Sequence, residues 1–205
     1  MYPEVLDKKR WEIFKQLHRV NGFVLAGGTA LALQLGHRVS FDFDFFSDQP
    51  ISKDLLNKVK RIFPDRNIAP LVNNKDELTI LVDGIKISFI YYPFFVGGKR
   101  IPYQGVLLIS ADWIAVTKAY TIGRRGSWKD YVDLFYALKQ KIIFLPMLIK
   151  RAQKVFGQAF HARLFLEQLI DLQDMEDVEL IFLKKSVSKK TVQTFFEQQI
   201  KKINT

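Results

Sequence analysis

The amino-acid sequence predicts an α+β protein with a mixed β-sheet core, flanking helices and a helical C-terminal region. Apolar and acidic residues alternate from Phe41 to Phe46 with the two-residue period of a strand. Two β-rich runs surround the hairpin dipeptide Asp83-Gly84, and from Ile142 onward the pattern is helical. The strands are therefore expected in the first part of the chain and the helices mainly in the second.

The 205 residues carry a net charge of +10, contain no cysteine and are 48% hydrophobic. This composition excludes intrinsic disorder, disulfide frameworks, thiolate metal sites and cysteine nucleophiles. The sequence shows neither a signal peptide nor a segment apolar and long enough to span a bilayer. We therefore expect a cytoplasmic protein without a membrane partner, and the positive charge favours a polyanion such as a nucleotide or RNA.

The first third of the chain is predicted to run helix, strand, glycine turn, helix. Apolar residues recur every three positions between Trp11 and Val20, which indicates a helix over residues 7–20. The short apolar run from Phe23 to Leu25 indicates a strand that closes on Gly27-Gly28. Residues Thr29 to Leu35 are helix formers.

The middle of the chain alternates strands and helices. The strand from Phe41 to Phe46 is followed by a helix from Ser52, a candidate cap, to Phe63. A β-hairpin joins runs 78–82 and 85–92, and further helices are expected over residues 113–122 and 128–139. The helical region from Ile142 onward is expected to break near Pro146, near Gly157 and over residues 184–190.

Asp42 and Asp44 are the first candidates for chemistry, because side chains two residues apart on a strand project from one face, with Cα atoms about 6.5 Å apart. Paired carboxylates suit a hard cation such as Mg²⁺ or Mn²⁺, which binds through one or two carboxylates plus substrate phosphates. Taken alone, an Asp-x-Asp pattern is better explained as an acidic solvent face.

The glycine pair upstream of the acidic strand favours the metal site over an acidic solvent face. Backbone N–H groups at Gly27-Gly28-Thr29, at a turn from strand to helix, can bind phosphate, although a tight turn alone also explains two glycines. A phosphate cradle followed by a strand with paired carboxylates is the arrangement that nucleotidyl transfer requires, because a metal must bridge the phosphates to the protein. The two features support each other.

Two longer segments resemble a known family. Residues 25–46, with the glycine pair and the acidic strand, resemble the first motif of the nucleotidyltransferases of the AbiEii/AbiGii toxin family, the toxins of type IV toxin–antitoxin and abortive-infection systems. Residues 112–118 and 124–134 resemble the late motif of that family, with Lys118 in one helix and Lys129-Asp130 and Asp133 in the next. The resemblance spans roughly Phe23 to Lys139 in consistent order and spacing.

The resemblance implies the DNA polymerase β-like nucleotidyltransferase fold, with a core over residues 1–140 and a helical region over 141–205. It also implies that Gly27, Gly28 and Thr29 lie at the triphosphate of a nucleoside triphosphate. Asp42 and Asp44 would be the ligands of Mg²⁺ or Mn²⁺.

Further residues take roles only through the resemblance. Lys118 would reach the phosphates or the base, and Asp130, next to Lys129, would position or deprotonate the attacking group, with Asp133 a weaker candidate for that role. Without the resemblance, Lys118, Lys129 and Asp133 are better explained as a solvated helix face. Arg38 and Ser40 match the nucleotide-binding motif, with pairing to a nearby acid as the alternative for Arg38.

Ser88 marks a departure from the wider polymerase β-like group, in which a neighbouring strand supplies a third carboxylate. A neutral hydroxyl is a poor Mg²⁺ ligand, so the site either uses another oxygen or works with one metal. The hairpin acid Asp83, and Asp76 and Glu77 before the strand, do not replace it by simple register.

Three functions are compatible with the sequence. The first is a toxin-like nucleotidyltransferase that modifies RNA, with tRNA among the candidates, or protein, and that has a cognate antitoxin. The second is a degenerate, catalytically weak member that binds nucleotide, RNA or a partner. The third is a nucleic-acid-binding module with incidental aspartates. The C-terminal lysines could form a cationic surface for RNA, but a solvated face is the better explanation of their pattern. The histidines His18, His37 and His161 lack metal-ligand spacing, so structural or surface roles are expected for them.

Overall fold

The structure, a computed structural model, describes residues 1–94, 98–172, 175–176 and 178–203, and of Arg125 only the backbone. The chain forms two compact units. The first comprises Met1–Gln34 and Val39–Ser110, and the second comprises Leu35–Arg38 and Ala111–Thr205. The predicted boundary at residue 140 falls inside the second unit. Among the described residues, no helix is long and apolar enough to cross a membrane.

A mixed sheet forms the core of the first unit and confirms the α+β prediction. Its strands, within the described residues, are β1 (Val24–Ala26), β2 (Phe43–Ser47), β3 (Ile68–Asn73), β4 (Glu77–Val82), β5 (Ile85–Tyr91), β6 (Arg100–Tyr103) and β7 (Val106–Ile109). They lie in the order β3-β4-β5-β2-β1-β7-β6. Strand β1 pairs antiparallel with β2 and parallel with β7, and β2 pairs parallel with β5. The helices α1 (Lys8–Phe14), α2 (Gly27–Leu35) and α3 (Leu55–Ile62) accompany the sheet.

Strand β2 has the two faces that its alternating sequence predicts. Phe43 and Phe45 are buried, whereas Asp44 and Phe46 are half-buried. Phe45 stacks on Phe89 of β5 with ring centroids 5.4 Å apart. The aromatic face therefore anchors the strand in the core, and the acidic residues are left on the opposite face.

The hairpin of β4 and β5 is also confirmed. Asp83 and Gly84 have φ angles of +50° and +82°, the left-handed conformation that a two-residue hairpin turn requires at both positions. Leu78, Ile80, Val82, Ile87 and Phe89 are buried. The turn fixes the register, which pairs Thr79 with Ser88.

The second unit contains the helices α4 (Ala111–Arg125), α5 (Trp128–Lys139), α6 (Leu145–Phe156), α7 (Ala162–Ile170) and α8 (Lys189–Lys201). The predicted helices over 113–122 and 128–139 are confirmed. The break expected near Pro146 is observed, since α5 ends at Lys139 and α6 begins at Leu145. Pro146 itself lies in the first turn of α6, where the backbone N–H that proline lacks would have no partner within the helix. The described residues between α7 and α8 form no helix, and Phe182 instead makes an isolated antiparallel bridge with Arg38.

Two expectations about the first unit are corrected, and two of its strands were not predicted. Helix α1 ends at Phe14, because Gln16 N–H bonds to Ile13 O and the chain tightens toward a 3₁₀ turn at Leu17–Arg19. Asp54, and not Ser52, precedes α3 at the N-cap. The edge strands β3 and β6 were not predicted, since each contains a proline and none of its residues is buried.

Candidate active site

In the first unit, the start of α2 meets the carboxylate of Asp44. Gly27, the first residue of α2, has φ +61°, and a methyl carbon at this position would lie only 2.6 Å from Asp44 Oδ2. Strand pairing explains the proximity, because Asp44 lies opposite Ala26 in the β1–β2 ladder. The predicted glycine turn is thus the first helical turn itself, with a carboxylate packed against its backbone.

The buried side chain of Thr29 connects this helical turn to the residues before β2 by hydrogen bonds. Its hydroxyl donates to the backbone carbonyl of Asp42 and lies 2.7 Å from Ser40 Oγ. Thr29 and Ser40 are both buried. The structure therefore shows these two hydroxyls holding the chain that leads into β2, while Gly27 and Gly28 are half-buried.

Strand β5 presents Lys86 and Ser88 to the acidic residues. Ser88 lies opposite Asp44 in the parallel ladder, as the sequence predicted. Ser88 Oγ is buried and lies 2.9 Å from Thr79 Oγ1 on β4. Lys86, two residues earlier, places Nζ 3.3 Å from Asp42 Oδ2 in a half-exposed ion pair. Lys86 was not predicted, although the strand period puts it on the same face as Ser88.

The residues present fit a divalent cation that is shared with a phosphate ligand. Asp42 and Asp44 offer oxygen donors from one face, next to a helix start that favours anions. Among the residues that the structure describes, no group of three His, Cys, Asp or Glu side chains is placed to hold a metal ion. A cation bound here would therefore complete its coordination with water and substrate oxygens.

In the second unit, a buried charge cluster surrounds Asp133 of α5. Arg38 donates from Nε and Nη2 to the two Asp133 oxygens at 2.7 and 3.0 Å. Lys118 Nζ of α4 lies 3.0 Å from Asp133 Oδ2 and 2.6 Å from Asp130 Oδ1. Asp133 is fully buried. The structure thus brings Lys118, Asp130 and Asp133 together, and Arg38 has the acidic partner that was its alternative interpretation.

Asp130 also closes the start of α5. Its Oδ2 accepts hydrogen bonds from Ser127 N at 3.0 Å and from Ser127 Oγ at 2.8 Å. Both carboxylate oxygens of Asp130 are therefore engaged by protein groups. Lys129, in contrast, is exposed on the same helical turn.

The charges in this cluster stabilise one another. Burial acts to raise the pKa of Asp133, but the charges of Arg38 and Lys118 outweigh it and hold this pKa well below its usual range. Burial acts to lower the pKa of Lys118, and the carboxylates of Asp133 and Asp130 raise it above its ordinary value. For Asp130, burial is outweighed by Lys118, so its pKa is lowered. All three side chains are thus charged near neutral pH.

His37 completes the cluster and was expected only to be structural. Its Nε2 lies 2.8 Å from Asp133 Oδ1, and its ring centroid lies 5.1 Å from the ring centroid of Tyr136. Burial lowers the pKa of His37, and the hydrogen bond to Asp133 opposes this only in part. His37 is therefore neutral, with Nε2–H donating to Asp133 and no hydrogen-bond partner for Nδ1 among the described residues.

The predicted site residues thus form two sets. Gly27, Thr29, Ser40, Asp42 and Asp44 come together in the first unit, with Gly28 next to them in α2. Arg38, Lys118, Asp130 and Asp133 come together in the second unit, with Lys129 exposed beside them.

Known proteins resemble this chain along nearly its whole length. The family model for the nucleotidyl transferase AbiEii toxin of type IV toxin–antitoxin systems matches residues 16–202. The chain is 31% identical over 188 residues to the uncharacterized protein aq_aa25 of Aquifex aeolicus, which covers 88% of this chain and 87% of that protein.

Solved structures share the fold. One is a nucleotidyltransferase candidate from H. pylori, with a TM-score of 0.61 at 19% identity over 97% of this chain and 98% of that chain. Another is the nucleotidyltransferase toxin MenT4 of Mycobacterium tuberculosis, with a TM-score of 0.62 at 15% identity over 92% of this chain and 80% of that chain. The fold that the resemblance implied is confirmed.

Proposed function

We propose a specific reaction for this chain on the premise that it belongs to the AbiEii family of nucleotidyltransferase toxins of type IV toxin–antitoxin systems. The chain transfers a nucleoside monophosphate from a nucleoside triphosphate to an RNA acceptor, with tRNA among the candidates, and requires Mg²⁺ or Mn²⁺. Family membership makes a nucleotide substrate and a cognate antitoxin protein its expected partners. The reaction is assigned to the cytoplasm, in line with the cysteine-free composition.

The contact between Asp44 and Gly27 carries the proposal. A helix N-terminus favours anions, and here it faces a carboxylate. A triphosphate bound at the same helix start would be repelled by Asp44 and Asp42 unless a cation lay between them. A bound Mg²⁺ would offset these charges and polarise the α-phosphate.

The proposed transfer is balanced in atoms and charge. An acceptor hydroxyl oxygen attacks the α-phosphorus, a new O–P bond forms, and the bond from the α-phosphorus to the bridging oxygen breaks. Pyrophosphate leaves with that bond's electron pair, and the hydroxyl proton passes to solvent or to a base. Asp42 and Asp44 would hold the cation, while Gly27 and Gly28 would let backbone N–H groups approach the phosphates.

The proposed catalytic residues of the second unit are Lys118, Lys129 and Asp130. Lys118 is buried, and the carboxylates of Asp133 and Asp130 keep it protonated, so we assign it to holding Asp130 in place within the second unit. Because the pKa of Asp130 is lowered and both its oxygens are engaged, we assign Asp130 to holding the first turn of α5, which carries Lys129, and not to deprotonating the acceptor. Lys129 is exposed on the same turn and is available to an incoming acceptor.

A cationic groove in the second unit favours RNA over protein as the acceptor. Two adjoining cavities share Lys139 and Thr191 and lie along α5, residues 184–188 and α8. Lys184, Lys185 and Lys190 also line them, and none of the described lining residues is acidic. Such a surface suits a phosphodiester backbone, and we call it the lysine groove.

The first test is incubation of the protein with each α-labelled nucleoside triphosphate, Mg²⁺ and total RNA. We expect label in RNA, and Asp42→Asn and Asp44→Asn should each abolish it while circular dichroism shows an intact fold. Asp48→Asn, an exposed aspartate just after β2, is the matched control and should transfer normally. Near-normal transfer by either Asp42→Asn or Asp44→Asn contradicts the metal assignment.

The lysine groove is tested separately by RNA binding as a function of salt. Lys185→Glu combined with Lys190→Glu should weaken RNA binding at least tenfold and flatten its salt dependence, since phosphate contacts release counterions. Lys53→Glu combined with Lys60→Glu changes the net charge equally on exposed positions of the first unit and should have little effect. Equal losses in both variants would show that net charge alone governs binding.

A second candidate function is nucleotide binding without turnover. Ser88 opposite Asp44, where a carboxylate would complete a two-metal site, is the observation that favours it. The labelled-nucleotide assay separates the candidates, because a binding protein would retain metal–nucleotide on a filter and label no acceptor.

A further inference from the structure

We propose that the ammonium group of Lys86 takes the place of a second metal ion, so that this chain carries out transfer with one divalent cation. The inference rests on the proposed function and deepens it. It concerns how the first unit balances the charge of Asp42, Asp44 and a bound triphosphate.

Strand register places Lys86 where a second cation would be needed. Strands β2 and β5 are parallel, and Asp44 pairs with Ser88. Asp42, directly before β2, and Lys86, two residues before Ser88 on β5, are neighbours, with Nζ 3.3 Å from Oδ2. The side chains of Lys86 and Asp42 are 42% and 38% exposed, so a substrate phosphate can reach both of them.

Ser88 does not supply the missing ligand. Its hydroxyl is buried and lies 2.9 Å from Thr79 Oγ1, which in turn lies 2.5 Å from Glu77 Oε1. These contacts connect Ser88 to Thr79 on β4 and, along that strand, to the carboxylate of Glu77. A second divalent ion beside Asp44 would therefore find a hydroxyl that the protein already engages.

Charge counting leads to the same conclusion. A site with three carboxylates carries three negative charges, whereas Asp42, Asp44, Ser88 and Lys86 together carry a net charge of one negative. The difference is two positive charges, which equals the charge of one Mg²⁺. Lys86 would also repel a second divalent ion placed beside Asp42, because the two cations would share one carboxylate.

The matching experiment counts bound ions. Mn²⁺ is titrated into the protein with a non-hydrolysable α,β-imido triphosphate, using a mixture of the four bases, and free Mn²⁺ is measured by electron paramagnetic resonance. We expect one tightly bound ion per wild-type chain. Two tightly bound ions in the wild type would overturn the inference and leave the proposed function intact.

A variant tests the cause. Lys86→Met combined with Ser88→Asp should bind two ions, because the ammonium is removed and a carboxylate is added. Lys58→Met, which removes an exposed lysine of α3, is the control and should bind one ion. A double variant that folds and still binds one ion contradicts the inference. Absence of binding in the wild type, together with normal transfer by Asp42→Asn, would instead refute the proposed function.

Discussion

Two separate features of Gly27 require a glycine: its positive φ angle and the proximity of the Asp44 carboxylate. Its φ of +61° lies in the left-handed region, and any Cβ would meet Asp44 Oδ2 at 2.6 Å. The backbone conformation affects the stability of the fold, whereas the contact with Asp44 affects the geometry of the proposed metal site. Gly22 meets only the first requirement, since it has φ +86° and nothing within 4 Å of where its Cβ would lie.

The pair Gly27→Ala and Gly22→Ala separates these two effects. Each should lower the free energy of unfolding by about 1–2 kcal/mol, because alanine is strained in the left-handed region. Only Gly27→Ala should also weaken metal-dependent nucleotide binding, because its methyl group displaces the Asp44 carboxylate. Urea unfolding and nucleotide titration measure the two quantities, and equal nucleotide affinity in both variants would contradict the assigned role of Gly27.

His37 should give the protein a stability that falls in mild acid. Because burial lowers its pKa, the unfolded chain binds a proton at this residue at a pH where the folded chain does not. The free energy of unfolding therefore decreases as pH falls through about 6.5, the ordinary histidine value.

His37→Gln keeps a donor toward Asp133 and removes the titration. The variant should show a flatter dependence of unfolding free energy on pH between about 7 and 5. His18 and His161 are present in both proteins, so the difference between the two curves isolates His37. Parallel curves would contradict a lowered pKa at this site.

The sequence identified most of the site's residue types but not their connections. Asp42 and Asp44 could be located because a strand has a simple two-residue period, whereas Ser88 was identified through the resemblance, in which a neighbouring strand supplies a third carboxylate. Lys86 was not predicted, because an ion pair across strands depends on register. For Arg38 the resemblance indicated a nucleotide role with an acidic partner as the alternative, but that partner, Asp133, could not be identified because it lies 95 residues away. Contacts between residues so far apart leave no local pattern.

At the scale of elements, helices α4 and α5 and residues 35–38 are joined through one carboxylate. Asp133 accepts from Arg38, Lys118 and His37, all within a buried region. Removing one partner of such a cluster leaves other charges buried without compensation, which is more damaging than removing an exposed pair.

Asp133→Asn should lower the free energy of unfolding by about 3–5 kcal/mol, because Arg38 and Lys118 lose the charge that balances them. The matched control is Arg163→Gln, which breaks the exposed pair with Glu167 on α7 and should change stability by less than about 0.5 kcal/mol. Chemical unfolding of both variants measures the contrast. Similar small losses in the two variants would show that the cluster contributes little.

Elements with a buried face were predictable, and edge elements were not. Helix α5 was predicted over its full length and buries ten of its twelve residues, whereas β3 contains Pro70 and exposes most of its residues. An edge strand owes its existence to the neighbour that pairs with it. Its own residues therefore carry a weak signal.

At the scale of the whole molecule, the chain enters the second unit twice. Residues Leu35–Arg38 belong to it although the flanking segments belong to the first unit. Lys184 Nζ donates to Leu35 O, and Leu183 N–H donates to His37 O. The C-terminal helices therefore depend on four residues from the first fifth of the chain.

A fragment of residues 111–203 should consequently fail to fold as a stable unit. It lacks His37 and Arg38, so Asp133 would keep only Lys118 as its charge partner. We expect reduced helical circular dichroism and a broad thermal transition compared with the intact chain. A cooperative transition in the fragment would show that residues 35–38 are dispensable.

Because residues 35–38 belong to the second unit, they also limit recombination between the genes of related proteins. A crossover between two related genes after residue 110 would appear to pass on a complete C-terminal half, yet the recipient would supply its own counterparts of His37 and Arg38. The new half would be stable only where those inherited residues suit its carboxylate. Recombination in this lineage should therefore favour exchanges that carry both segments together, and engineered chimeras should be designed with two junctions instead of one.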